Sequence, residues 1–349
     1  MSDVKVLVTG NLGYIGTVVA PLLRAAGHDV TGLDSGLFEG CDLGPRPEQV
    51  PMLDVDLRDV TAAQLAGFDA VVHLAALSND PLGNLAPDHT WQINHEASVR
   101  LARYCRDVGV RRFLYASSCS VYGVTDDGAT VDEEAPMRPT TPYAASKVRV
   151  EDDLHDLADH DFSPVYLRNA TVYGVSPRLR ADVVLNNLVG TAFLEGEVRV
   201  LSDGSPWRPL VHVRDVAAAF LAALESERDA VHDRAFNVGS DEGNYRVKEL
   251  AAVAGETTGA PVAILGAPDP DARSYRVSFA RLGETFPRFR CTWTAKAGAQ
   301  ELLDAYRRYG LTREQFERRF TRLARIGDRL GDGSLRDDLR PARPAAASF

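Results

Sequence analysis

Lysine is scarce in this chain: Lys5, Lys147, Lys248 and Lys296 stand against an abundance of arginine among 39 basic residues. Basic charge as a whole is outnumbered, since 49 acidic residues leave a net charge of −10. That balance argues against a nucleic-acid or anionic-membrane surface, because both reward a basic face. The cysteines, Cys41, Cys105, Cys119 and Cys291, are scattered without a C-x-x-C pair, which fits a reducing compartment and argues against a zinc site. The histidines include no H-x-x-x-H pair, so no metal is expected. Long apolar runs are missing too, and nothing approaches a membrane span. The first apolar stretch, residues 4–8, reads as a buried strand and not as a leader. These absences leave an acidic, cytoplasmic globular chain as the expectation.

What is present is ordered. An apolar run at 4–9 ends in glycines, and helical spacing follows through Val19, Leu22 and Leu23 to Gly27. Further buried-type runs at 30–33, 70–76, 112–116 and 165–168 alternate with helical stretches, the longest at 88–108 and 143–160. Strands alternating with helices predict an α/β protein of Rossmann type, a doubly wound parallel sheet covered on both faces. Residues 1–173 make that first domain, and 211–240 return to it. Residues 174–330 are mainly an irregular α/β substrate-binding region on the C-terminal side. There Thr312-Arg313-Glu314-Gln315 has capping-box spacing. It opens a basic helix whose stripe of Phe316, Phe320, Leu323 and Leu330 is expected to pack on its own subunit. Residues 331–349 read as a disordered tail.

Two motifs carry chemistry. Gly10, Gly13 and Gly16 form G-x-x-G-x-x-G between a strand and a helix, where a pyrophosphate can approach free N–H groups and the positive helix end. Asp34 ends the second strand and can accept from both hydroxyls of an adenosine ribose. A 2′-phosphate would meet its charge, so NAD is favoured over NADP. Tyr143 and Lys147 lie four apart on one helical face. Moving a phenol from near 10 to neutrality takes about 4 kcal/mol. One positive charge at ~5 Å supplies roughly 3 kcal/mol in an effective dielectric of about 20. The pair can therefore tune a proton carrier.

The string Thr9-Gly10-Asn11-Leu12-Gly13-Tyr14-Ile15-Gly16, with Tyr143 and Lys147 downstream, resembles the extended branch of the short-chain dehydrogenases/reductases, the nucleotide-sugar epimerases and dehydratases. The likeness runs from about residue 4 to residue 311. Asp56-Leu57-Arg58 resembles the family's adenine-contacting loop. His73-Leu74-Ala75-Ala76 resembles the strand end flanking the cofactor, and Asn94 matches the family's structural asparagine on the long helix. Ser118 falls at the catalytic serine position in Ser117-Ser118-Cys119-Ser120-Val121-Tyr122-Gly123. Leu167-Arg168-Asn169-Ala170-Thr171-Val172-Tyr173-Gly174 matches the strand leading into the substrate half. The late motif from Trp207 to Val216 includes Arg208, which would hold a sugar-nucleotide diphosphate, and Arg273 falls where the family often places another phosphate- or ribose-contacting arginine. The likeness implies NAD bound by Gly10, Leu12, Gly13, Tyr14, Ile15, Gly16, Asp34, Asp56, Leu57, Leu74, Ala75, Ala76, Asn94 and Lys147. It implies a homodimer through a four-helix bundle of the two long helices.

The resemblance also implies the reaction: Tyr143, helped by Lys147 and Ser118, takes a proton from a sugar hydroxyl while hydride passes to NAD. Departures from the pattern then select the outcome. The 4,6-dehydratases carry Asp-Glu where this chain has Cys119-Ser120, and a thiol and a hydroxyl are poor acid–base replacements. The decarboxylases' glutamate is missing at Ser120, and the ketosugar reductases prefer NADPH, which Asp34 opposes. A nucleotide-sugar epimerase acting through a transient ketosugar remains, with those three activities as alternatives. An NAD-sensing binding protein is a lesser alternative, since such proteins commonly lose the tyrosine or lysine. Cys119 sits where ring-contracting apiose synthases carry a thiol, or is simply a small buried residue. Substrate contacts are expected from Ser78, Asn79, Ser118, Cys119, Ser120, Tyr143, Thr171, Asn186 or Asn187, Arg208 and Arg273. Asp80 either joins them or caps the turn before Pro81.

Overall fold

The computed structural model describes residues 4–78, 86–125, 129–267 and 273–342. Seven strands build one sheet: β1 Lys5–Thr9, β2 Asp29–Asp34, β3 Met52–Asp54, β4 Ala70–His73, β5 Arg112–Ser118, β6 Ser163–Asn169 and β7 Arg234–Val238. They lie in the order β7-β6-β5-β4-β1-β2-β3, and every pairing is parallel. This is the Rossmann-type α/β sheet that the alternating pattern predicts.

Helices on both faces explain the near-continuous apolar strands. Val6 and Val8 of β1 pack with Val19, Ala20 and Leu23 of α1 (Gly16–Ala25). Leu7, between them, packs on the other face with Val99, Leu101 and Cys105 of α2 (Ala97–Asp107). Val150 and Leu154 of α3 (Pro142–Leu157) join that second layer, while Phe220 and Ala223 of α4 (Val213–Glu225) join the first. The helix expected at 88–108 is continuous, but Trp91–Glu96 forms a wider π-type turn between Pro87–Thr90 and α2.

After β6 the chain leaves the sheet. Thr171–Tyr173 pairs in parallel with Trp207–His212, which pairs antiparallel with Asn244–Arg246. Helices Val184–Glu195, Val247–Thr258 and Ala295–Tyr309 enclose a second core with Leu185, Leu250, Leu302 and Tyr306.

The C-terminal region corrects one expectation. The capping box is made, with Gln315 N donating to Thr312 Oγ1 and Thr312 N donating to Gln315 Oε1. The apolar stripe faces its own chain: Phe316 and Phe320 enter the second core, and Leu323 and Leu330 pack with Leu37, Leu77 and Ile326. Beyond α5 (Arg322–Gly331), however, the stretch expected as a disordered tail is packed as far as residue 342. Leu335 and Leu339 are buried, and Arg340 pairs with Asp59 at 2.9 Å. The Gly-Asp-Gly-Ser run after α5 is a tight turn, and Arg340 beyond it reaches Asp59, 281 residues away and beyond any local signal. Residues 343–349 lie outside the described part.

Candidate active site

The carboxyl ends of the strands open into one cleft of about 800 Å³. It sits where the strand order reverses, between β1 and β4, the usual ligand crevice of an open parallel sheet. The glycine loop forms its floor. Gly10 has φ of +71°, and a Cβ there would stand 2.8 Å from Ala75 N. A Cβ on Gly16 would stand 2.1 Å from the Gly10 carbonyl oxygen. Only glycines let this loop close on the neighbouring strand end and leave the helix entrance open to a ligand.

Asp34, at the end of β2, accepts from Leu12 N at 3.0 Å and Gly36 N at 2.8 Å. Burial pushes its carboxyl up, and those N–H groups and Arg178 pull the other way. Its two oxygens retain lone pairs for further donors. Arg178 Nε donates to Leu12 O at 2.9 Å and Nη1 to Phe38 O at 2.8 Å, so one buried guanidinium ties the glycine loop to the loop after β2. Asp56 opposes burial with bonds from Arg58 N and its guanidinium, and the net effect holds its carboxyl below the usual range.

Across the cleft, Thr141 Oγ1 caps α3 by accepting from Ala144 N, and Pro142 stands at the first helical position. Tyr143 and Lys147 follow on the face lining the cleft. Lys147 Nζ donates to Ala116 O at 2.7 Å, 4.7 Å from the Tyr115 ring centroid and 5.7 Å from that of Tyr143. Burial pulls its amine down to about 7, opposed by Glu151 one turn on. Glu151 is held by Ser117 Oγ at 2.5 Å and by Arg168 Nη2 at 2.7 Å. His73 bridges Thr9 Oγ1 at 2.6 Å and Ser98 Oγ at 2.8 Å, and burial, then Lys147, pulls it down to about 3, so it is neutral. Ser118 Oγ accepts from Ser120 N at 3.1 Å.

Of the residues expected in the site, the cleft wall unites Gly10, Gly13, Tyr14, Ile15, Gly16, Asp34, Asp56, Leu57, Leu74, Ala75, Ala76, Ser78, Ser118, Ser120, Tyr143, Lys147, Thr171, Asn187, Arg208 and Arg273. Packing keeps three of the expected side chains off the cleft wall. Cys119 is wholly buried behind the wall, its Sγ on Arg168 O at 3.1 Å, and burial pushes the thiol far up. Asn186 is also wholly buried: its amide serves Gly174 N, Tyr14 Oη and Arg180 O, leaving Asn187 as the member of that pair on the cleft. Asn94 stands behind the wall, holding Leu77 N and O at 2.8 and 3.1 Å and touching Ser146 Oγ on α3. It positions the strand end that lines the cleft. Leu12 likewise contributes only its backbone bonds to Asp34 and Arg178. Asn79, with Asp80, lies outside the described residues.

The reading of the sequence missed Arg178, Arg180, Asp182, Arg322 and Leu339. Arg180 pairs with Asp182 at 2.9 Å and donates to Ser78 O at 3.2 Å. No local motif marks these residues: Arg178 reaches the glycine loop, and the other four reach the cleft wall, only through tertiary folding. Asn169 belongs to the motif that runs from Leu167 to Gly174. Its Oδ1, like Ser120 Oγ, is buried on the cleft wall without a hydrogen-bond partner, which leaves acceptors for a polar ligand.

The model of the NAD dependent epimerase/dehydratase family matches residues 6–239, and the chain belongs to that family. A UDP-glucose 4-epimerase of Corynebacterium glutamicum is 31% identical over 273 residues, covering 74% of this chain and 82% of the relative. One from Mycolicibacterium smegmatis is 33% identical over 268 residues, covering 74% and 83%. Among solved structures, MoeE5 in complex with UDP-glucose and NAD is 30% identical with a TM-score of 0.74, covering 88% of this chain and 99% of its own. TunA, an NAD-dependent NDP-hexosamine 5,6-dehydratase, is 25% identical with a TM-score of 0.77, covering 88% and 98%. NAD is thus the cofactor, and the cleft fits it: glycines that tolerate no Cβ and a carboxylate at the end of β2. Among the described residues no helix is long and apolar enough to cross a membrane.

Proposed function

We propose that this chain is a nucleotide-sugar epimerase with Tyr143 as its acid–base residue. The carrying observation is that Tyr143, Lys147, Ser118 and Ser120 line the same cleft as the glycine loop and Asp34. The loop of Gly10, Gly13 and Gly16 would hold the pyrophosphate, Asp34 the adenosine ribose and Asp56 the adenine, with Lys147 on the nicotinamide ribose. Bound NAD supplies the acceptor, and then the donor, of a hydride. Tyr143 Oη takes the proton from the sugar hydroxyl and returns it. Lys147, 5.7 Å from the phenol ring, favours the phenolate by roughly 3 kcal/mol when charged. Ser118 Oγ stands at the strand end to hold the same hydroxyl. Arg208 and Arg273 anchor the diphosphate, and Ser78, Thr171 and Asn187 present further polar groups.

The carboxylates on the described cleft wall are Asp34, Asp56 and Asp182. The first two sit at the nucleotide end and the third is held by Arg180. None follows Ser118 to drive elimination, and Cys119 is buried, so among the described residues no acid–base pair is built to carry the oxidised sugar on to dehydration. The likeness to TunA keeps dehydration as the second reading. Incubation with UDP-, dTDP-, GDP-, CDP- and ADP-sugars, followed by mass spectrometry and NMR, separates the two. A mass-neutral isomer is expected, and a product lighter by one water overturns epimerisation. Tyr143→Phe is expected to lose at least ~100-fold in turnover while keeping bound NAD.

The helix at 88–108 and α3 pack side by side on one flank. We propose that they form the four-helix interface of a cytoplasmic homodimer, with residues 174–330 as the substrate-binding part of each subunit. A monomer in sedimentation at micromolar concentration would remove the dimer.

A further inference from the structure

The C-terminal segment reaches the nucleotide end of the same cleft. Leu339 and Arg322 line its wall together with Leu37, Phe38, Asp56 and Leu57. Leu339 is 4% exposed and adopts φ of +60°, a conformation that leucine takes at a cost and keeps only when its surroundings hold it there.

Those surroundings are two loops. Arg329 Nη1 donates to Gly36 O at 2.9 Å and Leu37 O at 2.7 Å, and Arg325 Nη2 to Glu39 O at 3.0 Å. The Arg322 guanidinium stacks on Phe38 at 4.3 Å. Farther on, Arg58 Nη1 donates to Asp338 O at 2.8 Å, and Arg340 grips Asp59 through Nε and Nη2 at 3.1 and 2.9 Å. Residues 322–342 thus strap the loop after Asp34 to the loop after Asp56, across the mouth of the cleft between them. Arg322 adds a buried positive charge whose Nη1 has no hydrogen-bond partner.

We propose that residues 322–342 are part of the dinucleotide site, with Leu339 forming an apolar roof on the adenine and the strap controlling escape of the adenosine half. The cofactor then stays bound between turnovers. This rests on the assignment of Asp34 and Asp56 to the adenosine half. An anionic dinucleotide also offers an acceptor to Arg322 Nη1, the one nitrogen of that guanidinium buried without a hydrogen-bond partner.

The test uses the full chain loaded with NAD, chased with excess ADP-ribose, and follows retained NAD with time. Leu339→Gly suits the positive φ and removes the roof. Arg340→Ala loosens the strap at the surface without touching the cleft, so it carries the test if the first variant folds poorly. Both are expected to release NAD about tenfold faster or more, as for loss of one buried aliphatic contact or its anchor. Leu339→Gly should also weaken AMP binding about tenfold and leave nicotinamide mononucleotide binding unchanged. Wild-type release rates in both variants overturn the strap. A wild-type protein that binds neither NAD nor AMP overturns instead the assignment on which it rests.

Discussion

Replacing Lys147 by methionine should change how stability depends on pH. The amine is buried at 3% exposure, with Ala116 O as its hydrogen-bond acceptor, and burial pulls it from 10.5 down to about 7. In the unfolded chain it returns to 10.5. Between pH 7 and 10.5 the unfolded state therefore binds more protons than the native one, and stability rises with pH. The contribution is fully present above the unfolded value and is lost as pH falls through the folded one. Allowing for partial protonation near neutrality, the wild type should gain roughly 2 kcal/mol between about pH 7 and pH 9 from this group. Lys147→Met abolishes that gain. The orphaned Ala116 carbonyl costs a further ~1–3 kcal/mol, but this offset is the same at every pH and leaves the slope untouched. Urea unfolding of cofactor-free protein, read by tryptophan fluorescence across this range, gives the difference between the two profiles, in which other titrating groups cancel. Parallel profiles would refute the reasoning, because they would mean that Glu151 keeps the buried amine fully charged.

Gly16→Ala should eliminate NAD binding in calorimetry and cost at least ~1–3 kcal/mol of stability, because its Cβ would lie 2.1 Å from the Gly10 carbonyl; retained wild-type affinity would refute the loop geometry. Native Cys119 should resist thiol reagents that label it once the chain is unfolded in urea, as peptide mapping by mass spectrometry would reveal. Cys119→Ala should likewise leave the identity of the product unchanged, and a new product would return the thiol to the chemistry.

The cleft's glycines, Asp34, Tyr143 and Lys147 were legible because each rests on local spacing: a turn between strand and helix, a strand end, and four residues on one helical face. The same locality left open the role of Cys119 and the choice between Asn186 and Asn187, and it did not separate Asn94, which supports the wall, from the residues on it. A motif position says which residue stands at a strand end or helix turn, but whether the side chain enters the cleft depends on what packs behind it. Behind Cys119 lies Arg168, and around Asn186 lie Tyr14, Gly174 and Arg180, none of which announces itself in the neighbouring sequence.

By itself the sequence determined the alternating strands and helices, the parallel sheet and the residues proposed to move a proton beside a dinucleotide, since these follow from apolar periodicity and short-range spacing. Only tertiary structure decided that Arg178 clamps the glycine loop and that residues 332–342 are not a tail but a strap. Those contacts join residues 140 to 293 positions apart, where chain proximity carries no information and burial alone selects the partner.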